Sequence, residues 1–548
     1  MKFKSFVVRI SAVLAILMSL LLCLHVINNH STSNATSQST LIQDRHDMNQ
    51  RTGNSNSPPG GQNDSLNHQN QIPNNGQFQP KGQMPSGQPI SAMPGRRGTS
   101  TGSNYSVQIV AYAIAFFLAG LAAYFIFVRK KLEKKLKITN GNRKLLMITL
   151  FCVGFLLRIA VGILIEGHAS DLSLFKSWAT SAANNFSQFY SGQNSSDYPP
   201  LYIYVLYIVG KIGSLKALNP YFTVLLKFPS ILADMGTALL LSKLARKYLS
   251  PGLSILVAAF YIFNPAVFVN STIWGQVDSF FTLIVIAGIV LLAEQKLTYS
   301  SIFFTAAVLM KPQGIIFLPI LFFELVKRRT FKDTVKVLIV SAATATLLIL
   351  PFSSDLNVLW IVKLFTSTLG EYPYASVNAF NFFYLLGANY TKDASAFLLV
   401  SYHIWGTIFI VLTTLLAWFV FARGKGKDFV PATALILISG VFIFSTRMHE
   451  RYLFPAVALA VLAWIYLKDK RIILLSAGFS ITSFANTFYV LWQTNGGINQ
   501  SALSFIPVVI SALNVALFIY MLKTMYELSA KKSLFRKLQL TTGPSILS

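Results

Sequence analysis

Leu145–Ile165 reads LLMITLFCVGFLLRIAVGILI, with a single ionisable side chain other than its cysteine, Arg158. A helix over these 21 residues rises about 30 Å, the thickness of the hydrocarbon core of a bilayer. Stretches of the same character recur from here to the C-terminus. The 548-residue chain is 53% hydrophobic and only 12% charged, with a mean hydropathy of +0.54. A soluble domain carries about a quarter charged residues. The reading is an all-α fold, a polytopic transmembrane helical bundle of about 12 to 14 spans, with the lipid bilayer as its surroundings.

The net charge of +27 gathers in short loops: Arg129 to Lys137, Lys243 to Lys247, Lys327 to Arg329, Arg423 to Lys427, Lys468 to Arg471 and Lys531 to Lys537. Basic residues confined to loops between spans mark those loops as cytoplasmic, so the charge needs no nucleic-acid partner. Both cysteines, Cys23 and Cys152, lie in apolar runs, which indicates neither a disulfide framework nor a metal site.

Residues 1–27 read as an N-terminal membrane anchor or signal segment. No small-x-small cleavage site follows, which favours an anchor. Residues 28–104 are rich in Asn, Gln, Ser, Pro and Gly and have almost nothing apolar to bury, so a disordered extracytoplasmic linker is expected. A second span covers 105–128, a basic cytoplasmic loop 129–144, and a polytopic domain with a basic tail 145–548.

With the basic loops inside, parity orders the rest. Leu145–Ile165 exits, which puts Asp171 and Asp197 outside. Leu297 to Val326 is interrupted by Lys311-Pro312-Gln313-Gly314 and reads as two short helices meeting at the outer face, because Pro breaks the hydrogen-bond ladder and a charge needs water. Val335 to Pro351 exits, Ser401 to Val420 returns, and Val430 to Phe444 exits, which puts Arg447 to Tyr452 outside. Between Asp197 and Lys243, segments 201–213 and 221–242 admit one crossing or three.

Ionisable groups are costly in hydrocarbon, so charge clustered where spans end points to a ligand or a reaction. Asp171 opens an amphipathic helix and shares a face with Phe175 and Trp178. A carboxylate in a first helical turn is favoured as the anion, ready to accept a proton, although it can equally be a helix cap. In Asp197-Tyr198-Pro199-Pro200-Leu201 the prolines aim Asp197 and Tyr198, or simply start a helix behind an interfacial Tyr. Trp274-Gly275-Gln276-Val277-Asp278 offers a ring with an amide and a carboxylate, a set suited to sugars, or an interfacial Trp with a capping Asp. Lys311 and Arg447-Met448-His449-Glu450-Arg451 supply cations whose natural partner is a surface phosphate. His449-Glu450 does not begin a zinc-protease motif, since Leu453 stands where the second His belongs. A divalent metal held by Asp171, Asp197, Asp278 or His449 is an alternative; otherwise no cofactor is expected. Arg158 and Asp234 lie inside spans, as a self-satisfied pair or as part of a transport path.

Taken in order, these strings resemble the GT-C superfamily of polytopic glycosyltransferases, which use polyprenyl- or dolichyl-phosphate-linked sugars. Within it they are most similar to bacterial relatives of the second GPI mannosyltransferase, and more distantly to the glucosyltransferases of ER lipid-linked oligosaccharides. The resemblance covers roughly Leu145 to Leu522. It implies a GT-C bundle in which Asp171 is the general base, followed by the aromatic-bearing helix of Phe175 and Trp178. Asp197 to Leu201, Trp274 to Asp278 and His449 to Arg451 match its later motifs. The implied activity is an inverting transfer of a sugar, mannose favoured, at the extracytoplasmic face of the cell membrane. The donor phosphate would meet Lys311, Arg447, His449 and Arg451. Sugar and acceptor would meet Phe175, Trp178, Asp197, Tyr198, Trp274, Gln276, Asp278 and Glu450. The acceptor, whether lipid, glycan or protein, is left open. No Gly-rich phosphate loop is present, in keeping with a donor that is not a nucleotide. The alternative function is a transporter or flippase of lipid-linked sugars or other polar cargo. A structural polymer-assembly subunit is a third.

Overall fold

The computed structural model describes residues 8–30, 105–129, 140–191, 196–353, 358–424, 426–494 and 504–541. Its helices in chain order are α1 (Val8–His30), α2 (Ser106–Ala123), α3 (Asn140–Leu164), α4 (Ala169–Asn184), α5 (Pro200–Gly213), α6 (Phe222–Tyr248) and α7 (Pro251–Ile262). They continue with α8 (Pro265–Phe268), α9 (Asp278–Ala293), α10 (Leu297–Met310), α11 (Leu318–Arg328), α12 (Phe331–Ile349) and α13 (Trp360–Gly370). The last are α14 (Phe382–Leu385), α15 (Tyr402–Gly424), α16 (Val430–Phe444), α17 (Pro455–Leu467), α18 (Lys470–Thr494) and α19 (Phe505–Thr541). One two-stranded hairpin interrupts them, with β1 (Ala396–Phe397) antiparallel to β2 (Val400–Ser401). The chain is an all-α polytopic membrane protein. The linker expected over 28–104 lies outside the described residues except for 28–30, which continue α1; residues 130–139 of the basic loop also lie outside them.

Among the described residues, nine helices are long and apolar enough to cross a membrane, or up to ten if the bent pair Pro251–Ile262 and Pro265–Trp274 is one span. Hydropathy alone suggested more, and the difference lies in α5, α9, α10 and α17. These have 13 to 16 residues and rise only about 20–24 Å. Most of α9 and nearly all of α17 are buried, so their all-round apolar character answers to neighbouring helices rather than to lipid. The ambiguous segment 201–213 is α5, which packs along α4. Gly210 allows this contact, since a Cβ there would stand 2.1 Å from the Ala179 carbonyl oxygen.

The break expected at Lys311 is present: α10 stops at Met310, a 3₁₀ turn covers Pro312–Phe317, and α11 follows. Basic residues from several of the loops named above meet at one end of the bundle. Lys247 Nζ donates to Glu294 Oε2 (3.0 Å), Tyr466 donates to Glu294 Oε1 (3.2 Å), and Arg328 donates to Gln295 Oε1 (2.8 Å). Lys532 pairs with Asp428 at 2.5 Å. These contacts bring together the C-terminal ends of α6, α9, α11 and α17. The N-terminal end of α9 and the segments after α3, α10 and α16 meet at the other end, where the candidate site lies.

Candidate active site

Beyond α3 the chain turns at Gly167, in a positive-φ conformation (+103°), and His168 becomes the N-cap of α4. The His168 backbone N–H donates to the Trp274 carbonyl (3.2 Å), and its imidazole stacks on the Trp274 ring at 5.1 Å. Asp171 follows in the first turn. Its Oδ2 accepts hydrogen bonds from Trp274 Nε1 (2.8 Å) and Gln276 Nε2. His168 Nδ1 stands 3.3 Å from the Asp171 backbone nitrogen and 3.4 Å from Oδ1. One nitrogen cannot accept from the first and donate to the second at once, so a proton on Nδ1 decides between capping the helix and holding the carboxylate. Burial acts to raise the Asp171 pKa, but the His168 contact, the Arg451 charge and the Trp274 N–H outweigh it and hold the carboxyl well below the usual range.

Trp274 and Gln276 owe their direction to an irregular piece of backbone. Val269–Trp274 is a π-helical turn, a feature often found at functional sites. Gly275 ends it at φ +89°, and the N–H groups of Gly275 and Gln276 both donate to the Asn270 carbonyl (3.2 and 2.9 Å). A Cβ on Gly275 would also lie 2.8 Å from Leu172 Cδ2. Gly275→Ala should therefore cost about 1–2 kcal/mol in backbone conformation alone. It should lower the melting temperature in detergent; unchanged melting would show that the turn can rebuild.

Asp278 begins α9. Its Oδ1 accepts from Lys311 Nζ at 2.5 Å and its Oδ2 from Asn270 Nδ2 at 3.2 Å, with Arg451 Nε 3.9 Å from Oδ2. The Lys311 ammonium also lies 4.8 Å over the Tyr452 ring. Arg451 donates to Glu450 Oε1 (2.5 Å), and its guanidinium stands 5.7 Å from the Trp274 ring centre. Burial pushes the Glu450 carboxyl up against the lowering effect of Arg451. Asp171, Trp274, Gln276, Asp278, Lys311, Glu450 and Arg451 thus form one connected network drawn from four separate segments.

The other predicted site residues make no hydrogen bond to this network, although Asp197, Tyr198 and His449 lie close enough to feel its charges. Phe175, Trp178 and Tyr198 are buried with Tyr202 in an aromatic cluster, ring centres 5.6 to 6.1 Å apart. Arg447 donates to Asp393 Oδ2 and to the Leu369 carbonyl, both at 2.7 Å. His449 bridges by its backbone to Val377 and Asn378, and its ring meets Tyr372 edge-on at 4.7 Å. Partial burial, with the charges of Arg451 and Lys311, pushes the imidazole well below its ordinary value, which keeps it neutral. The Asp197 backbone carbonyl accepts from Thr368 Oγ1 (2.9 Å), and burial raises its carboxyl.

Sequence reasoning gave no role to His168, Asn270 or Tyr452, although two of them flank named motifs. Their signal was position: His168 is three residues before Asp171, and Tyr452 immediately follows Arg451. Gln276 Oε1, Asn270 Oδ1 and Arg451 Nε are buried without a hydrogen-bond partner in the protein. Among the described residues no three His, Cys, Asp or Glu side chains gather closely enough to hold a metal ion. No protein-family model matches the chain, and no curated protein sequence matches it.

Proposed function

We propose that the chain is an integral-membrane inverting glycosyltransferase of GT-C type. It would move a sugar, mannose favoured, from a polyprenyl-phosphate donor to an acceptor hydroxyl, at the extracytoplasmic face of the cell membrane. The observation that carries this reading is the Asp171 carboxylate. It is oriented by Trp274 and Gln276, residues more than a hundred positions away (|i−j| of 103 and 105), with Lys311 and Arg451 in the same network.

In the reaction, Asp171 takes the proton of the acceptor hydroxyl as its oxygen attacks the anomeric carbon. The bond from that carbon to the phosphate oxygen breaks on the opposite side, and its electron pair leaves with the lipid phosphate. A tightly held anion is a weak base, so the proton moves late, when the attacking oxygen has become acidic. Lys311 and Arg451 are engaged by Asp278 and Glu450, but an ammonium has three N–H donors and a guanidinium five, so each keeps donors for phosphate oxygens. They stabilise the departing charge.

The primary test is sugar release from labelled polyprenyl-phosphate donors, mannose first, by membranes carrying the chain. No release from any donor would overturn the proposal and turn attention to flux of lipid-linked cargo. Arg451→Gln should weaken donor affinity by about ten- to a hundredfold, the worth of a charged hydrogen bond. A change in acceptor affinity alone would remove Arg451 from the phosphate site.

A further inference from the structure

Lys227, Ser230 and Asp234 lie three and four residues apart on α6, so they stack along one face of a membrane helix. None is more than 1% exposed. Polar groups at such positions are costly unless paired, and each of these reaches a segment that shapes the surroundings of Asp171. Lys227 Nζ donates to the carbonyls of Gly162 (3.2 Å) and Ile165 (2.5 Å), where α3 ends just before Gly167 and His168. Ser230 Oγ donates to the Gln276 carbonyl at 2.7 Å. Asp234 Oδ2 accepts from Ser271 Oγ of the π-turn at 2.5 Å and stands 3.6 Å from Arg158. Arg158 in turn donates to the Ile262 carbonyl (2.7 Å) and to Thr272 Oγ1 (3.2 Å), tying the same turn to the end of α7.

We infer that the stripe Lys227, Ser230 and Asp234, braced by Arg158, is the positioning device of the site: one face of α6 sets the separation between Asp171 and its two donors, Trp274 and Gln276. These are positioning residues, since each acts through the backbone or side chains of α3's end and the π-turn. The pair of Arg158 and Asp234, an obvious candidate for a transport path, is fully buried and spends its bonds on that turn and on the end of α7. The geometric inference stands apart from the reaction; only its effect on rate rests on the proposed glycosyl transfer.

The stripe can be read without turnover. A water-soluble carbodiimide with a labelled amine attacks carboxyl groups through their protonated form, and Asp171 is partly exposed. Its labelling, followed by mass spectrometry at a fixed mildly acidic pH, reports how firmly Trp274 and Gln276 hold the anion. Ser230→Ala should label Asp171 several-fold faster than the wild type, and Asp234→Asn likewise, while Ser230→Thr, which keeps the hydroxyl, should stay close to the wild type. In transfer assays Ser230→Ala should lower kcat about tenfold through misplacement of the base, with KM for the donor unchanged. A Ser230→Ala protein that melts and labels like the wild type overturns the inference. If that variant does not fold, Asp234→Asn decides by the same reading. A wild type that releases no sugar overturns the proposed reaction and leaves the labelling result to judge the stripe.

Discussion

Replacing Asp171 with Asn is expected to lower sugar transfer by about 10²- to 10⁴-fold with donor binding largely kept. The amide matches the carboxylate in size, so α4, its His168 cap and the Trp274 ring have no steric reason to move. What is lost is the anion. The amide oxygen can still accept from Trp274 Nε1 or Gln276 Nε2, which between them now engage one Oδ2, but it cannot take a proton from the acceptor. Single-turnover release from a bound labelled donor, set beside equilibrium donor binding, separates the two effects. Near-normal turnover in the variant would end the assignment of Asp171 as base.

The pH dependence supplies a second check on the same residue. The Asp171 pKa is held below its unfolded value, so the group is ionised through the neutral range and the anion is lost only as pH falls through the depressed folded value. The acid limb due to Asp171 should therefore lie below about pH 4, the ordinary carboxylate value. Asp197 and Glu450, both raised by burial, lose their charge at higher pH than Asp171. An acid limb well above that point reports one of them instead.

The parts of the molecule legible in sequence are those decided by local chemistry. Pro312 and Gly314 broke the helix at Lys311 as expected, and α16 runs from Val430 to Phe444 as its hydropathy indicated. The start of α4 near Asp171 and of α5 at Pro200 followed from capping and proline geometry. Hydropathy could not tell the short buried helices α9 and α17 from true spans, because burial in protein and burial in lipid select the same residues. The π-turn at Val269–Trp274 was hidden because its extra residue is fixed by tertiary contacts such as those of Ser271 and Thr272, not by a motif. Lys227, a charge in an apolar helix, was not singled out in the sequence beside Arg158 and Asp234, and its partners, the Gly162 and Ile165 carbonyls, leave no mark there. The pairing of Arg447 with Asp393, 54 residues apart, has no pattern to announce it. Of the two arginines grouped together in sequence, the structure brings Arg451 to Glu450 and close to Asp278, and directs Arg447 to Asp393.

Lys311→Met should be among the most destabilising substitutions in the site, at about 3–5 kcal/mol, the cost of breaking a buried ion pair from one side. Asp278 is 1% exposed. Without the ammonium at 2.5 Å, its carboxylate keeps Asn270 and an Arg451 nitrogen 3.9 Å away. That does not replace a direct partner inside the bundle. Removing both charges, as Lys311→Met with Asp278→Leu, should recover most of the loss, since an apolar pair of similar volume often matches or exceeds a buried ion pair. The recovery is incomplete because Asn270 Nδ2 then loses its acceptor, at about 1–3 kcal/mol. Melting in detergent measures both variants, and the transfer assay then separates structure from chemistry. If Lys311 and Asp278 serve only to hold the end of α10 against α9, the double variant should transfer sugar once it is stable. If either also meets the substrate, the double variant should be stable and inactive, which is the result expected, and a loss of donor binding in it, rather than of acceptor binding, points to Lys311 and the phosphate. A single variant as stable as the wild type would mean that the Lys311–Asp278 contact adds nothing to stability.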